Sequence, residues 1–386
     1  MTADNIIRNT FEKAPHVTSA ADPILSGTAF ASYYTSYDGE KIFYKEWQAE
    51  KEKAVIQIAH GLGEMADYYE EFARIANRSH FTVYLNEARG HGRTGPVFNS
   101  ENIMDQFEKD LLHLNNIIRE KHINKPVFLV GHSMGTVIIQ SILSDNKSQD
   151  NDKNQDNDIQ RTWAGVLLSG IPYQENMEEL INEVYMEISL YGEDAPSVTT
   201  FTKMFSNVND SFSQEEGALA WLTGDGERRD YFLSLPYTNV SYSNRFYKDF
   251  LEKSLEVQEE GIFGYSDKSL PVYILGGQFD VVSKSGTYGE ARAKEMEENG
   301  FTNVKVKTYQ GFRHSILQEI QRKLVYENIL EWITGLCEKK LSDSGKTATD
   351  NIIAFNNKNS DNLVKGKNFV MSKNTDSCRC YSIDKN

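Results

Sequence analysis

The chain has 386 residues, 39% of them hydrophobic, 25% charged and 11% aromatic, a globular composition with enough length for a large α/β core and an insertion. Its formal net charge of -15 argues against a uniform phosphate-binding face, so nucleic acid is not an expected partner, and it disfavours electrostatic docking on anionic lipid. Three cysteines (Cys337, Cys378, Cys380) are too few for a disulfide framework and lack metal-ligand spacing, and no apolar run reaches the roughly 18 residues of a membrane span.

Residues 1–30 carry no period and read as an irregular N-terminal arm. They lack the apolar core of a signal peptide, so the expected location is the cytoplasm, with room for transient contact with a membrane. From Ala31 the pattern changes. ASYYTSYDGEKIFYKEWQ reads as a hairpin with Asp38-Gly39 as its turn. Short apolar runs then alternate with helical stretches. AVIQIA (54–59), FTVYLN (81–86), VFLV (127–130), WAGVLLS (163–169), VYILGG (272–277) and VKVKTY (304–309) read as strands. Several are apolar on both faces, as in a covered parallel sheet. Helices are expected near 67–78, 105–122, 134–143, 286–299 and 316–336. This alternation predicts an α/β fold with a mostly parallel, doubly wound sheet.

Two segments break the pattern. DNKSQDNDKNQDND (145–158) reads as a solvated loop insertion. Residues 171–270 have no βα repeat but hold Tyr185, Phe201, Phe205, Trp221, Tyr231, Phe232, Phe246 and Phe250. They read as a helical cap inserted after the sixth strand. The core is thus expected in two parts, 31–170 and 271–338, followed by a polar, disordered tail over 339–386.

The sharpest chemical signal is Gly131-His132-Ser133-Met134-Gly135, a G-x-S-x-G between an apolar strand and an apolar helix. Such an elbow strains the serine backbone and presents its hydroxyl at the carboxyl edge of the sheet, beside a helix N-terminus. Serine needs a base held by an acid. His314, in GFRHS, is the one histidine after Ser133, and Asp280 leaves the strand VYILGG. Both fall at carboxyl ends of strands. Asp267 is a rival acid but precedes its strand. The amides of Leu62, in His60-Gly61-Leu62-Gly63, and of Met134 are the expected oxyanion donors. His60 and His91 read as loop histidines bonded to backbone. A metal reading of His60, Glu64 and His91 lacks supporting spacing.

HGLGE (60–64), ARGHGRTG (88–95), GHSMG (131–135), GGQFD (276–280) and GFRHS (311–315) together resemble the serine hydrolases of the α/β-hydrolase fold that include monoacylglycerol lipases and lysophospholipases, the serine aminopeptidase-like family. The resemblance covers about residues 30–338. It implies Ser133 as nucleophile, Asp280 as acid, His314 as base, and Leu62 and Met134 as oxyanion amides. The chain departs from that pattern at Glu87, where Asp is common, at Thr136, where a second glycine often follows, and at Val281-Val282, where a proline is frequent.

The expectation is a serine esterase that needs no metal or cofactor and acts on a small, lipid-derived ester through an acyl-enzyme. The cap aromatics read equally as an apolar acyl site or as helix packing. A thioesterase or aminopeptidase would use the same triad. A dehalogenase or epoxide hydrolase normally has Asp at the elbow, and a non-catalytic binding protein would be expected to lack a triad member.

Overall fold

The computed structural model describes residues 28–144, 163–236 and 241–339, and the backbone of 369–371 and 380–382. The chain divides into two compact units between Ile333 and Thr334.

The first unit is built on one eight-stranded sheet. Its strands are β1 (Thr28–Thr35), β2 (Lys41–Gln48), β3 (Ala54–Ala59), β4 (Phe81–Asn86), β5 (Val127–His132), β6 (Gly165–Ser169), β7 (Val272–Gly277) and β8 (Val304–Tyr309). They lie in the order β1-β2-β4-β3-β5-β6-β7-β8. Only β2 is reversed, being antiparallel to both β1 and β4. Every other neighbouring pair is parallel. The exchange of β3 and β4 and the monotonic run from β5 to β8 make the sheet doubly wound, as expected.

Strands β3, β4, β5 and β6 are buried at every position, which explains their unbroken apolar sequences. The edge strand β8 alternates in sequence and carries Lys305 and Lys307, charges that discourage a further strand from pairing. The hairpin forms around Asp38-Gly39 in full register. It starts at Thr28 rather than at Ala31, because the ladder extends to Thr28–Gln48.

Helices connect the strands: α1 (Glu70–Arg78), α2 (Ile103–Lys121), α3 (Met134–Ser144), α4 (Met177–Tyr191), α5 (Thr199–Phe205), α6 (Gly226–Ser234), α7 (Asn244–Glu260), α8 (Tyr288–Glu298) and α9, which begins at residue 322. The expected helix at 316–336 is thus split, with a short 3₁₀ turn at Ile316–Gln318 before α9. Helices α4 to α7 lie between β6 and β7. Of these, α7 packs on α2, α3 and α4, and the Asp249 carboxylate on α7 accepts the Ile103 amide that opens α2 (2.8 Å). Within this excursion Glu187 of α4 is buried. Its carboxylate takes the amides of Thr199 (2.8 Å) and Thr200 (2.9 Å) and the hydroxyls of Ser197 (2.8 Å) and Thr200 (2.6 Å). Burial raises its pKa, but these bonds outweigh burial and hold it at about 2.

An ion cluster centred on buried Arg89 ties the hairpin turn to α2. Arg89, wholly buried, bonds Asp110 of α2 through Nε (2.8 Å) and Nη2 (3.0 Å) and Asp38 of the turn through Nη1 (2.8 Å) and Nη2 (2.9 Å). The guanidinium bonds hold Asp38 at about 2.

The second unit contains one short antiparallel pair, β9 (Phe369–Met371) with β10 (Cys380–Ser382). Regular pairing was not expected in this tail. The arm at 1–27, the insertion at 145–158 and the remainder of the tail from residue 340 lie outside the described residues.

Candidate active site

The elbow serine sits between the end of β5 and the start of α3. Ser133 has φ +51, a left-handed conformation that costs a residue with a side chain, and its amide donates to the Ser169 carbonyl of β6 (2.9 Å). The glycine at 135 has a steric cause. A β-carbon there would lie 2.0 Å from the Ala59 carbonyl oxygen and 3.0 Å from that of His60. The first turn of α3 therefore rests against the end of β3 and the loop that follows it. Thr136 is compatible with the elbow because its hydroxyl donates to the Ser133 carbonyl (2.7 Å).

The two oxyanion candidates meet at this contact. Met134 opens α3, where the first amides have no intrahelical acceptor. In the loop after β3, the Gly61 amide donates to the Glu64 carboxylate (2.7 Å) and the Glu64 amide to the Gly61 carbonyl (3.2 Å). Leu62 lies between them, and its amide has no backbone acceptor in that loop among the described residues.

Asp280 and His314 are brought together from the loops after β7 and β8. His314 Nδ1 lies 2.9 Å from both Asp280 carboxylate oxygens, and both residues are buried. An ionised carboxylate only accepts, so Nδ1 donates, and in the neutral form of the ring Nε2 is the unprotonated nitrogen. Asp280 Oδ1 also accepts the amides of Val282 (2.9 Å) and Ser283 (3.3 Å). Burial pushes this carboxyl up, but the attraction of a protonated His314 and these bonds prevail and leave it below the usual range. Gly277 lets the two loops approach, since a β-carbon there would lie 2.2 Å from the Arg313 carbonyl oxygen. The rival Asp267 sits in an exposed turn before β7 and bonds the amide (2.9 Å) and hydroxyl (2.6 Å) of Ser269.

Strands β5, β7 and β8 are parallel members of one sheet, so Ser133, Asp280 and His314 all leave it at the same edge. His60 has both ring nitrogens engaged with backbone, Nδ1 with the Gly61 carbonyl (2.8 Å) and Nε2 with the Ala88 amide (2.9 Å), and burial lowers its pKa. His91 bonds the Arg89 carbonyl through Nδ1 (3.1 Å), and burial, with His60 beside it, takes its pKa to about 3.

Sequence reasoning missed the surroundings of the imidazole. His132 packs its ring 4.9 Å from that of His314, with Ser315 Oγ 3.3 Å from its Nε2. Burial lowers the His132 pKa against the pull of nearby Glu64. Glu64 in turn accepts the Tyr69 hydroxyl (2.5 Å). The Trp221 ring also stacks on His314, at 5.3 Å and 29°. The signal for Glu64 was present, as the last residue of HGLGE. For Trp221 there was none beyond its being aromatic.

Residues 50–321 match the family model described as serine aminopeptidase, S33. The monoglyceride lipase of Rattus norvegicus is 33% identical over 102 residues, which is 26% of this chain and 34% of that protein. The chain thus spans about a third of the length of that curated relative. Among solved structures, a thermostable carboxyl esterase from Bacillus coagulans aligns with a TM-score of 0.69 at 20% identity, over 80% of this chain and 99% of that one. A soluble variant of monoglyceride lipase from Saccharomyces cerevisiae aligns at 0.57 and 18% identity, over 84% and 100%. These likenesses show that the fold is the α/β-hydrolase fold.

Proposed function

This chain belongs to the serine aminopeptidase S33 family, and from that membership and the geometry of the site we propose that it is a serine hydrolase cleaving a carboxylic ester of a small lipid, of the monoacylglycerol or lysophospholipid kind. One observation carries the reading: a left-handed elbow serine and a buried carboxylate–imidazole pair leave the same sheet edge.

In this reading the free Nε2 of His314 takes the Ser133 proton as the hydroxyl attacks the ester carbonyl. The Asp280 carboxylate fixes the tautomer and stabilises the imidazolium. The tetrahedral oxyanion rests on the Leu62 and Met134 amides. Collapse expels the alcohol, protonated by His314. Water, deprotonated by the same imidazole, then releases the acid.

The helical excursion supports the lipid part of the reading. A cavity of about 260 Å³ lies between its helices and Val281-Val282, directly after Asp280. Met177, Met204, Phe205, Phe250 and Leu251 form the apolar part of its lining, beside polar residues such as Gln174, Lys203 and Asn207. Each methylene buried there contributes up to about 0.8 kcal/mol. Among the described residues no helix is long and apolar enough to cross a membrane. A cytoplasmic location is part of the same proposal, in keeping with the low cysteine count.

Ser133→Ala tests the mechanism. It is expected to abolish labelling by a fluorophosphonate probe and to lower ester turnover by roughly 10³-fold or more. Near-full activity in that variant would overturn the assignment. A panel of monoacylglycerols, lysophospholipids, acyl thioesters and amino-acid amides tests the substrate. Preference for the amides or thioesters would replace the lipid-ester reading with a peptidase or thioesterase using the same groups.

A further inference from the structure

The loop that carries His314 is docked along the helical excursion rather than left open. The amides of His314 and Ser315 donate to the carbonyls of Trp221 (3.3 Å) and Leu222 (2.8 Å). The Arg313 guanidinium bonds the Glu216 carboxylate (2.8 and 3.2 Å) and the Ala220 carbonyl (2.6 Å). From the other end, the Glu319 carboxylate accepts the amides of Arg313 (2.9 Å) and Gly224 (3.1 Å). Residues 216–224 and 313–319 are thus joined by main chain and by the charged side chains of Glu216, Arg313 and Glu319. At the centre of this seam the Trp221 indole stacks on the imidazole, inclined to it by 29°. The His132 ring also lies against that imidazole. Trp221 also contacts Phe205 (5.9 Å), which lines the cavity.

We propose that Trp221 is a positioning residue for His314, a role that rests on the triad reading above. Asp280 holds the imidazole by one ring nitrogen, which leaves the ring free to swing about that bond. The indole face removes that freedom. It also offers a π-surface to the positive charge that develops on the imidazole when it takes the serine proton. Because the indole comes from the excursion, the base is competent only while that segment is docked on its loop. Docking of the segment and readiness of the base are one event.

The competing role is that Trp221 only walls the acyl cavity. Kinetics on p-nitrophenyl acetate, butyrate and octanoate separate the two. For Trp221→Leu the expected result is a fall in kcat of about 10- to 100-fold on all three esters, with KM held within about twofold. Trp221→Phe, which keeps a ring, is expected to recover most of the loss. A loss confined to octanoate, or carried by KM, would overturn the proposal, as would equal losses in the Phe and Leu variants. Ser133→Ala, run in parallel, separates this claim from its premise. Full turnover in Ser133→Ala removes the triad and this role together. Loss there with an unaffected Trp221→Leu removes this role alone.

A second readout uses the emission of Trp221 itself. The emission difference between wild type and Trp221→Phe is expected to change when both proteins also carry His314→Gln, because the imidazole lies against the indole. Identical difference spectra with and without His314 would show that the rings are not in contact in solution.

Discussion

Replacing Gly135 by alanine perturbs the elbow without removing any group that reacts. The new methyl carbon would lie 2.0 Å from the Ala59 carbonyl oxygen, 2.5 Å from its carbon and 3.0 Å from the His60 oxygen. A carbon–oxygen contact is ordinarily about 3.3 Å or longer, so the worst overlap is about 1.3 Å. All three obstructing atoms are main chain, two of them at the end of the buried strand β3, and none can swing aside as a side chain would. Relief requires the first turn of α3 to move away by about an ångström, taking Ser133 and the Met134 amide with it. Overpacking of this kind costs about 1–3 kcal/mol. At about 2–4 °C per kcal/mol, the melting temperature should fall by about 2–12 °C. The larger effect is on rate, because misplacing a reacting group by about 1 Å costs about 100-fold. Purified Gly135→Ala should therefore stay folded below its midpoint while kcat/KM on p-nitrophenyl butyrate drops by about two orders of magnitude. Wild-type melting combined with wild-type turnover would refute the packing argument.

Two further outcomes follow from single carboxylates. Asp280→Asn should preserve the fold and lower kcat by roughly 10²–10⁴-fold through the wrong histidine tautomer, whereas Asp267→Asn should be neutral; the opposite pattern on the same ester would move the acid to the other loop. Glu187 has a folded pKa of about 2 against an ordinary 4.5, so its contribution is fully present above pH 4.5 and is lost as pH falls towards 2. Urea midpoints between pH 5 and 2.5 should accordingly fall more steeply for wild type than for Glu187→Gln, and parallel curves would show that the carboxylate is not held by the start of α5.

Strands β3, β4 and β7 were legible to the residue because packing covers both faces of the sheet there, whereas VFLV stops two residues short of the end of β5 and WAGVLLS begins two residues before β6. In β3, β4 and β7 burial alone dictates an apolar run with sharp ends. The pairing of Asp280 with His314 was legible for a different reason. Parallel strands put the ends of β5, β7 and β8 on one side, so chain order and strand position brought Ser133, Asp280 and His314 to one sheet edge. What escaped depends on contacts between residues distant in sequence. Nothing local marks Trp221 as the partner of His314, since both lie in irregular chain and meet through a carbonyl–amide bond and the contact of their rings. Glu187 reads as one of several acidic residues on α4, and its partners come from the next loop and helix. The start of β1 was set too late because Thr28 belongs to the ladder through its partner Gln48, not through any pattern of its own.

The strand order also dictates when the site comes into being. During synthesis the chain folds from its N-terminal side. The elbow, with β3, β4 and β5 around it, is available about 180 residues before His314 emerges. Strand β7 can pair with β6 only after the long excursion between them has closed, and loop closure delays non-local pairing. A nascent chain ending near residue 170 thus holds a strained serine without the proposed base. On the proposed assignment, reactivity arrives with β7 and β8, after the helices between β6 and β7 have been made.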